Sequence, residues 1–279
     1  MRIAVFGGAN LDVLGRPEGK LVLRDSCIGH VEMRPGGVGR NIAEQIARSG
    51  MECELFTAFG SDMTAEMLRR SCTDLGIDIS HAITAEGSSC VYLCVHDDTG
   101  DMMTAVNDMA LTRYLSPDYA RQVSEWINRC DVCVTDTNAS EETLKALTET
   151  VKVPILLDTV SCVKAERTRD ILPRLEAIKP NLMEARSMTG WETPRDCALA
   201  LLMRGVKRVF ISLGKDGLFY ADTTEDGCLP VKEVMDASVT GAGDALCAAL
   251  ATGLAKGLTT SACAAYAMEQ THAYMMGKK

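Results

Sequence analysis

Val239-Thr240-Gly241-Ala242-Gly243-Asp244-Ala245 is the stretch on which the reading of this chain turns. Upstream, Pro230 to Val234 has the pattern of a short strand. Downstream, Ala245 to Lys256 has that of a small-residue helix closed by Gly257. A glycine turn therefore runs straight into a helix N-terminus. Backbone N–H groups converge there, and the helix dipole adds partial positive charge, which suits an anion. An aspartate in that place repels a phosphate. It fits as a base facing a hydroxyl that attacks a phosphoryl group held by the turn. The competing account is an ordinary acidic residue in a helix's first turn.

A second glycine-rich helix start lies near the other end of the chain. Pro35-Gly36-Gly37-Val38-Gly39-Arg40-Asn41 leads into a helix predicted from Ile42 to Ser49 and stopped by Gly50. Three glycines in four residues permit a close backbone approach to a ligand, and Asn41 would face the same space. Before it, Arg2 to Phe6 reads as a strand opening onto Gly7-Gly8, with Asn10 and Asp12 just beyond. Open α/β sheets bind ligands at such strand ends. Asn10 and Asp12 suit sugar hydroxyls, or else form an Asx-type turn. Gly-Gly-x-Asn-x-Asp is not the dinucleotide pattern G-x-G-x-x-G, so a nicotinamide dehydrogenase is a poor fit.

The remainder alternates strands with helices, which predicts a mostly parallel sheet covered on both faces. Strands are expected at Cys53–Phe59, Val132–Asp136, Val153–Leu157, Ala177–Ile178 and Val209–Leu213, with Leu218–Ala221 pairing back. Helices are expected between them, including one over Arg169–Leu175. Polar residues recur where strands end: Asn138, Asp158, Asn181 and Lys215. Two segments break the alternation. Residues 13–34 carry scattered glycines, and 88–106 reads as a hairpin around His96-Asp97-Asp98-Thr99-Gly100-Asp101. They are expected to form a small separate sheet, with Asn107-Asp108-Met109 at its return to the main body.

Composition narrows the class. The 279 residues suffice for one large domain, and a net charge of −9 without a basic run argues against a nucleic-acid surface. No apolar run approaches a membrane span. The chain opens directly on a strand, so a reducing cytoplasm is expected, with the twelve scattered cysteines as free, mostly buried thiols. Cys130-Asp131-Val132-Cys133 is a lone C-x-x-C without a second pair, overlapping the start of a strand where residues three apart face opposite sides, and is a weak signal for zinc or redox chemistry.

Four ordered motifs then carry a resemblance. Gly36-Gly37 with Asn41, Lys179-Pro180-Asn181 with Glu184, Ser212-Leu213-Gly214 with Gly217, and Val239 to Asp244 resemble the signatures of the PfkB, or ribokinase-like, carbohydrate and nucleoside kinases. The match runs from the first strand to about residue 272. Within the family, Val38-Gly39-Arg40, Asn107-Asp108-Met109 and Thr135-Asp136-Thr137-Asn138 resemble the wording of pseudouridine kinases. The resemblance implies a single three-layer α/β domain over 1–279, with a β-sheet lid made by the insertions 13–34 and 88–106.

It also implies roles. Asp244 would take a proton from the sugar 5′-hydroxyl, and the N–H groups of Gly241, Ala242 and Gly243 would form an anion hole. Asp12, Gly37 and Asn41 would hold the ribose hydroxyls, with Asn10 and Asn138 nearby. Asn181 and Glu184 would arrange Mg²⁺, waters and nucleotide phosphates, Glu184 acting on the metal through water. Ser212, Gly214 and Gly217 would lie along ATP. Many members carry an aspartate six residues before the base, associated with a monovalent cation. Here Ser238 stands there, so that cation is not carried over. The chain stops at Lys279, short for the family, so part of the adenine pocket is expected to be incomplete.

Three accounts of function follow. The first is a nucleoside kinase, with pseudouridine as substrate and Asn107 and Asp108 as acceptors for the ring N–H that uridine lacks. The second is a kinase of ribose, fructose or a sugar phosphate; a cation beside Asp12 or Asn41 would favour the last, and Arg40 is the adjacent candidate. The third is a nucleoside-binding sensor without catalysis. A homodimer formed through the lid is also expected.

Overall fold

The structure, a computed structural model, describes residues 1–231 and 241–277. Strand β1 (Arg2–Phe6) is apolar on both faces, as a central parallel strand must be. Three residues later the chain enters β2 (Asn10–Pro17), returns as β3 (Gly29–Gly36) and turns at once into helix α1 (Val38–Arg48). Strands β4 (Glu52–Phe56) and β5 (Ala58–Phe59), helix α2 (Met63–Thr73) and β6 (Ile83–Thr84) follow. The hairpin β7 (Val91–His96) and β8 (Met102–Asp108) precedes α3 (Pro117–Ile127), β9 (Val132–Asp136), α4 (Glu141–Thr150) and β10 (Ile155–Asp158). A one-turn helix α5 (Cys162–Ala165) leads through tight turns to β11 (Ala177–Lys179), α6 (Leu182–Thr189) and α7 (Pro194–Met203). The described chain closes with β12 (Arg208–Ser212), β13 (Leu218–Ala221), β14 (Asp226–Leu229), α8 (Ala242–Ala255) and α9 (Thr260–Met275).

Eight strands form the central sheet in the order β14-β13-β12-β11-β10-β9-β1-β4. From β4 to β12 neighbouring strands run parallel; β13 and β14 pair antiparallel at one edge. Alternate side chains go to opposite faces. Ala4 and Phe6 of β1 join a core with α3, α4, α6 and α7, while Ile3 and Val5 join one with α1, α2, α8 and α9. This is the three-layer α/β arrangement expected from the alternation. Because the strands are parallel, the ends of β1, β9, β10, β11 and β12 open on one edge of the sheet.

A separate four-stranded sheet, ordered β3-β2-β7-β8, comes from the two interrupting segments. Its strands reach further than expected: β2 begins at Asn10 and β8 ends at Asp108. Asn10 and Asp12 are therefore residues of the small sheet, not of the turn after β1. Gly7-Gly8-Ala9 makes that bend alone, and pairing with β3 starts at Asn10 opposite Gly36. By register, Arg34, Asp12, Tyr92 and Asn107 stand in one row across the four strands and share a face. Met33, Val13, Leu93 and Val106 form the neighbouring row on the other face. Of these, Met33, Leu93 and Val106 are exposed.

Three expectations need correction. Cys53–Phe59 is not one strand: it breaks at Thr57, whose carbonyl turns away from the main sheet to accept from Ile83 N–H, and β5 pairs with β6 instead. Arg169–Leu175 contains only short tight turns, because Pro173 has no N–H to continue a helix. The Cys130/Cys133 pair does not straddle the sheet: Cys130 precedes β9, and both thiols pack in the same core. All twelve cysteines are free. The strand expected over Pro230–Val234 lies mostly outside the described residues.

Candidate active site

The elbow Gly36–Asn41 is built on two glycines with different reasons to be there. Gly37 has φ 96°, a conformation that a side chain strains, and a Cβ on it would lie 2.6 Å from the Gly8 carbonyl oxygen. A Cβ on Gly39 would lie 2.7 Å from the backbone of Gly7. The start of α1 is thus seated directly against the end of β1, and Arg40 N–H donates to the Gly8 carbonyl at 3.1 Å. That seating carries Asn41 to the mouth of the sheet.

Asn41 Nδ2 donates to Asp244 Oδ2 at 3.0 Å, across 203 residues of sequence. Asp244 stands in the first turn of α8, which begins one residue after the positive-φ Gly241. The helix start is earlier than the sequence suggested and includes Ala242 and Gly243. Asp244 is half-buried, and its pKa is pushed up to about 7. Burial is the main cause, repulsion from Asp158 the next; the Asn41 hydrogen bond and the Lys179 charge work against them. Asp136, wholly buried at the end of β9, is raised to about 6, again chiefly by burial. Its Oδ1 accepts from Asn138 N–H at 2.7 Å, and its Oδ2 has no hydrogen-bond partner.

Two cavities meet here, sharing Asp12 and Asn41. One, of about 320 Å³, is lined by Gly8, Ala9, Asn10, Asp12, Gly37, Val38 and Asn41 on one side. Tyr92, Met109, Thr112, Asn138, Val160 and Lys164 close the other. The second, of about 550 Å³, includes Gly241, Asp244, Arg34, Arg40, Glu44, Arg48 and Tyr274. Asn10 Nδ2 donates to Asp12 Oδ1 at 2.7 Å, and Arg34 Nε lies 3.7 Å from Asp12 Oδ2. Arg40 is buried and turned along its own helix to pair with Glu44, and its charge bears on Asp12 after that of Arg34.

Lys164 was not singled out from the sequence. Its Nζ donates to Asn138 Oδ1 at 2.6 Å on the wall of the smaller cavity. Burial lowers its pKa. Beside it Val160 has φ 58°, an uncommon conformation for a β-branched residue. No motif announces either residue. The only sequence signal was their position just after the end of β10, at the ligand edge of the sheet.

Asn107 and Asp108 are both exposed and do not line the cavity. Asn107 shares the face of Asp12 and Tyr92, out on the edge strand. Asp108 points to the opposite face by register and accepts from Ala110 N–H at 3.2 Å, a turn-capping bond. Its place as an acceptor for the base is thereby withdrawn.

Asn181, Glu184, Ser212, Gly214 and Gly217 gather at the ends of β11 and β12. Asn181 and Glu184 form a reciprocal capping box, with Glu184 N–H donating to Asn181 Oδ1 at 2.9 Å and Asn181 N–H to Glu184 Oε2 at 2.9 Å. Thr159 Oγ1 also donates to Glu184 Oε2 at 2.6 Å. Ser212 N–H donates to the Pro180 carbonyl, and Gly214 to Asp216 is a tight turn before Gly217. This group does not line either cavity at Asp244. Ser238, and with it the monovalent-cation question, lies outside the described residues.

The sequence pattern of the pfkB family carbohydrate kinases matches residues 1–270. The chain belongs to that family. Among pfkB kinases it is similar to the pseudouridine kinase of Escherichia coli (strain K12), with 36% identity over 259 residues, 90% of this chain and 82% of that one. The ribokinase of Thermotoga maritima superposes with a TM-score of 0.87 at 20% identity, covering 99% of this chain and 93% of its own. The Arabidopsis thaliana ribokinase, solved with ribose and ATP, superposes with a TM-score of 0.81 at 18% identity, covering 99% and 93%. As a pfkB kinase the protein is a phosphotransferase of the sugar and nucleoside class. Among the described residues no helix is long and apolar enough to cross a membrane.

Proposed function

We propose that this kinase transfers the γ-phosphoryl group of ATP to the 5′-hydroxyl of a nucleoside, and that the nucleoside is pseudouridine. One observation carries the chemistry: Asp244, in the first turn of α8, is hydrogen-bonded through Asn41 to the elbow that floors the sugar-sized cavity. A hydroxyl bound against Asp12 and Asn41 would face the Asp244 carboxylate, which accepts its proton as the oxygen attacks phosphorus. The N–H groups of Gly241, Ala242 and Gly243 would meet the charge on the transferring group.

No three His, Cys, Asp or Glu side chains converge as a metal cage among the described residues. A magnesium ion would therefore be held by the donor's phosphates and by water, with Glu184 reaching it through a water molecule, which suits an ion that keeps its hydration shell. Bound there, it would neutralise phosphate charge. Both Glu184 oxygens are already fixed by Asn181 and Thr159, so the carboxylate is held still for that task. Ser212, Gly214 and Gly217 would border the nucleotide.

The nucleoside reading rests on the far end of the smaller cavity. Beyond Asp12 and Asn10, Tyr92, Met109 and Val160 provide an apolar lip suited to a base, with Lys164 and Asn138 as its polar corner. The identity to a pseudouridine kinase supports the choice of base. Free ribose would leave this lip empty. Arg34 beside Asp12, with Lys164 across the cavity, favours a second reading: a phosphorylated sugar. The exposed apolar face of the small sheet is the surface through which two copies would pair.

The test is phosphorylation with ATP and Mg²⁺ across pseudouridine, uridine, adenosine, ribose, fructose and a fructose phosphate. Pseudouridine is expected to exceed uridine in kcat/KM by roughly ten- to hundredfold, the effect of one buried polar group left unpaired. Equal values for the two would refute the choice of base, and a sugar phosphate as best substrate would establish the second reading. Binding without turnover on every compound would identify a sensor.

A further inference from the structure

Behind the first turn of α8 lies a buried ion pair that the mechanism above does not use. Lys179, at the end of β11, has its Nζ 3.0 Å from Asp158 Oδ2 at the end of β10, and both side chains are almost wholly buried. The same Nζ lies 3.9 Å from where a Cβ on Gly243 would stand, directly under the glycine turn. Burial alone would drive Lys179 to give up its proton. Asp158 overrules it and holds the ammonium charged.

A buried pair of this kind contributes little net stability, since desolvation opposes the attraction. Its position gives it another use. The groups that act on Asp244 come from each element around it: Asp158 from β10, Lys179 from β11, Asp136 from β9, Asn41 from α1 and Cys247 from its own helix. Tyr274 of α9 reaches the same turn at Gly241, and its hydroxyl would lie 2.6 Å from a Cβ there. Cys247 is neutral, its thiol raised by burial, and Asn41 carries no charge. Among the described residues Lys179 is the cation with the largest influence on Asp244, while Arg34, Arg40 and Arg48 line the same cavity. Asp158 acts on Asp244 more strongly than Asp136 does.

We propose that the buried Lys179–Asp158 pair is a positioning element for Asp244: Asp158 opposes negative charge on the Asp244 carboxylate, Lys179 supports it, and the pair fixes when that carboxylate is available as a base. This rests on Asp244 being the base. Neither residue lines the two cavities at Asp244, so the pair would act through Asp244.

The experiment is the pH profile of kcat/KM on the best substrate, from pH 5 to 9, for wild type, Asp158→Asn, Lys179→Gln, the double variant and Asp244→Asn. Ionisations of the substrates are common to all five. Asp158→Asn should move the acid limb down by on the order of one pH unit, and Lys179→Gln should move it up by a similar amount. The double variant, which keeps a neutral hydrogen-bonded pair, should fall between Asp158→Asn and wild type, because the carboxylate has the larger influence. Loss of packing would lower the whole profile without moving the limb in opposite directions. If one single variant fails to fold, the other single and the double still give two signed shifts. Unmoved limbs, or shifts of the same sign in both singles, would overturn the proposal, provided Asp244→Asn lowers turnover by about 10²-fold or more. If Asp244→Asn retains turnover with its acid limb, the base assignment itself is wrong.

Discussion

Asp244→Asn should inactivate the kinase and stabilise its fold in the same step, and the stabilisation should depend on pH. The folded protein holds the Asp244 proton to about pH 7, whereas the unfolded chain releases it near the ordinary value of 3.8. Between these values the folded state binds the additional proton, so stability falls as pH rises from about 4 to about 7. A shift of about three units corresponds to roughly 4 kcal/mol. Solvent entering from the cavity screens the site and reduces this to about 2–3 kcal/mol. Asparagine removes the buried charge and keeps an oxygen for Asn41 Nδ2 to bond. Thermal denaturation should therefore show the variant close to wild type at pH 4.5 and more stable by about 5–10 °C at pH 8. Turnover should fall roughly 10²–10⁴-fold, the usual worth of a general base. An equal stability difference at both pH values would refute the raised proton affinity. Near wild-type turnover on a true substrate would refute the catalytic role.

Two further outcomes test the surroundings of the site. Gly39→Ala would place a carbon 2.7 Å from the Gly7 backbone, so α1 must retreat on the order of 1 Å; the fold should lose about 1–3 kcal/mol and kcat/KM about 10²-fold, while Gly19→Ala, which meets nothing within 4 Å, should change neither denaturation nor turnover. Leu93→Asp, in the exposed apolar row with Met33 and Val106, should convert a dimer to a monomer in sedimentation equilibrium, and an unchanged association state would exclude that face as the interface.

The layer order was legible because its signals are local. Apolar runs of parallel-strand length alternated with helical periods, and glycines marked the elbow at Gly37 and Gly39. What escaped was set by tertiary placement. Lys164 comes from a one-turn helix with no motif, and only the arrangement of β9 against β10 brings it to Asn138. The apolar run Cys53–Phe59 gave no hint that Thr57 turns aside, since β5 and the main sheet ask for the same residue types. Asn107 and Asp108 look alike in sequence, yet adjacent strand residues face opposite ways. The register on β7 alone decides that Asn107 shares the Asp12 face.

The place of β1 has a consequence for how the chain is made. Its two neighbours arrive at very different times: β4 follows within fifty-odd residues, but the partner on the other side lies 129 residues downstream, where Arg2 meets Asp131. At about 5–20 residues per second, the second edge of β1 waits roughly 6–26 s on the ribosome for its partner to be synthesised. During that interval an apolar strand edge is open in the nascent chain, a template for pairing with another molecule. The nascent chain is thus most exposed to chaperones, and to its own copies, before residue 132 emerges, well before any part of the glycine turn at Asp244 exists.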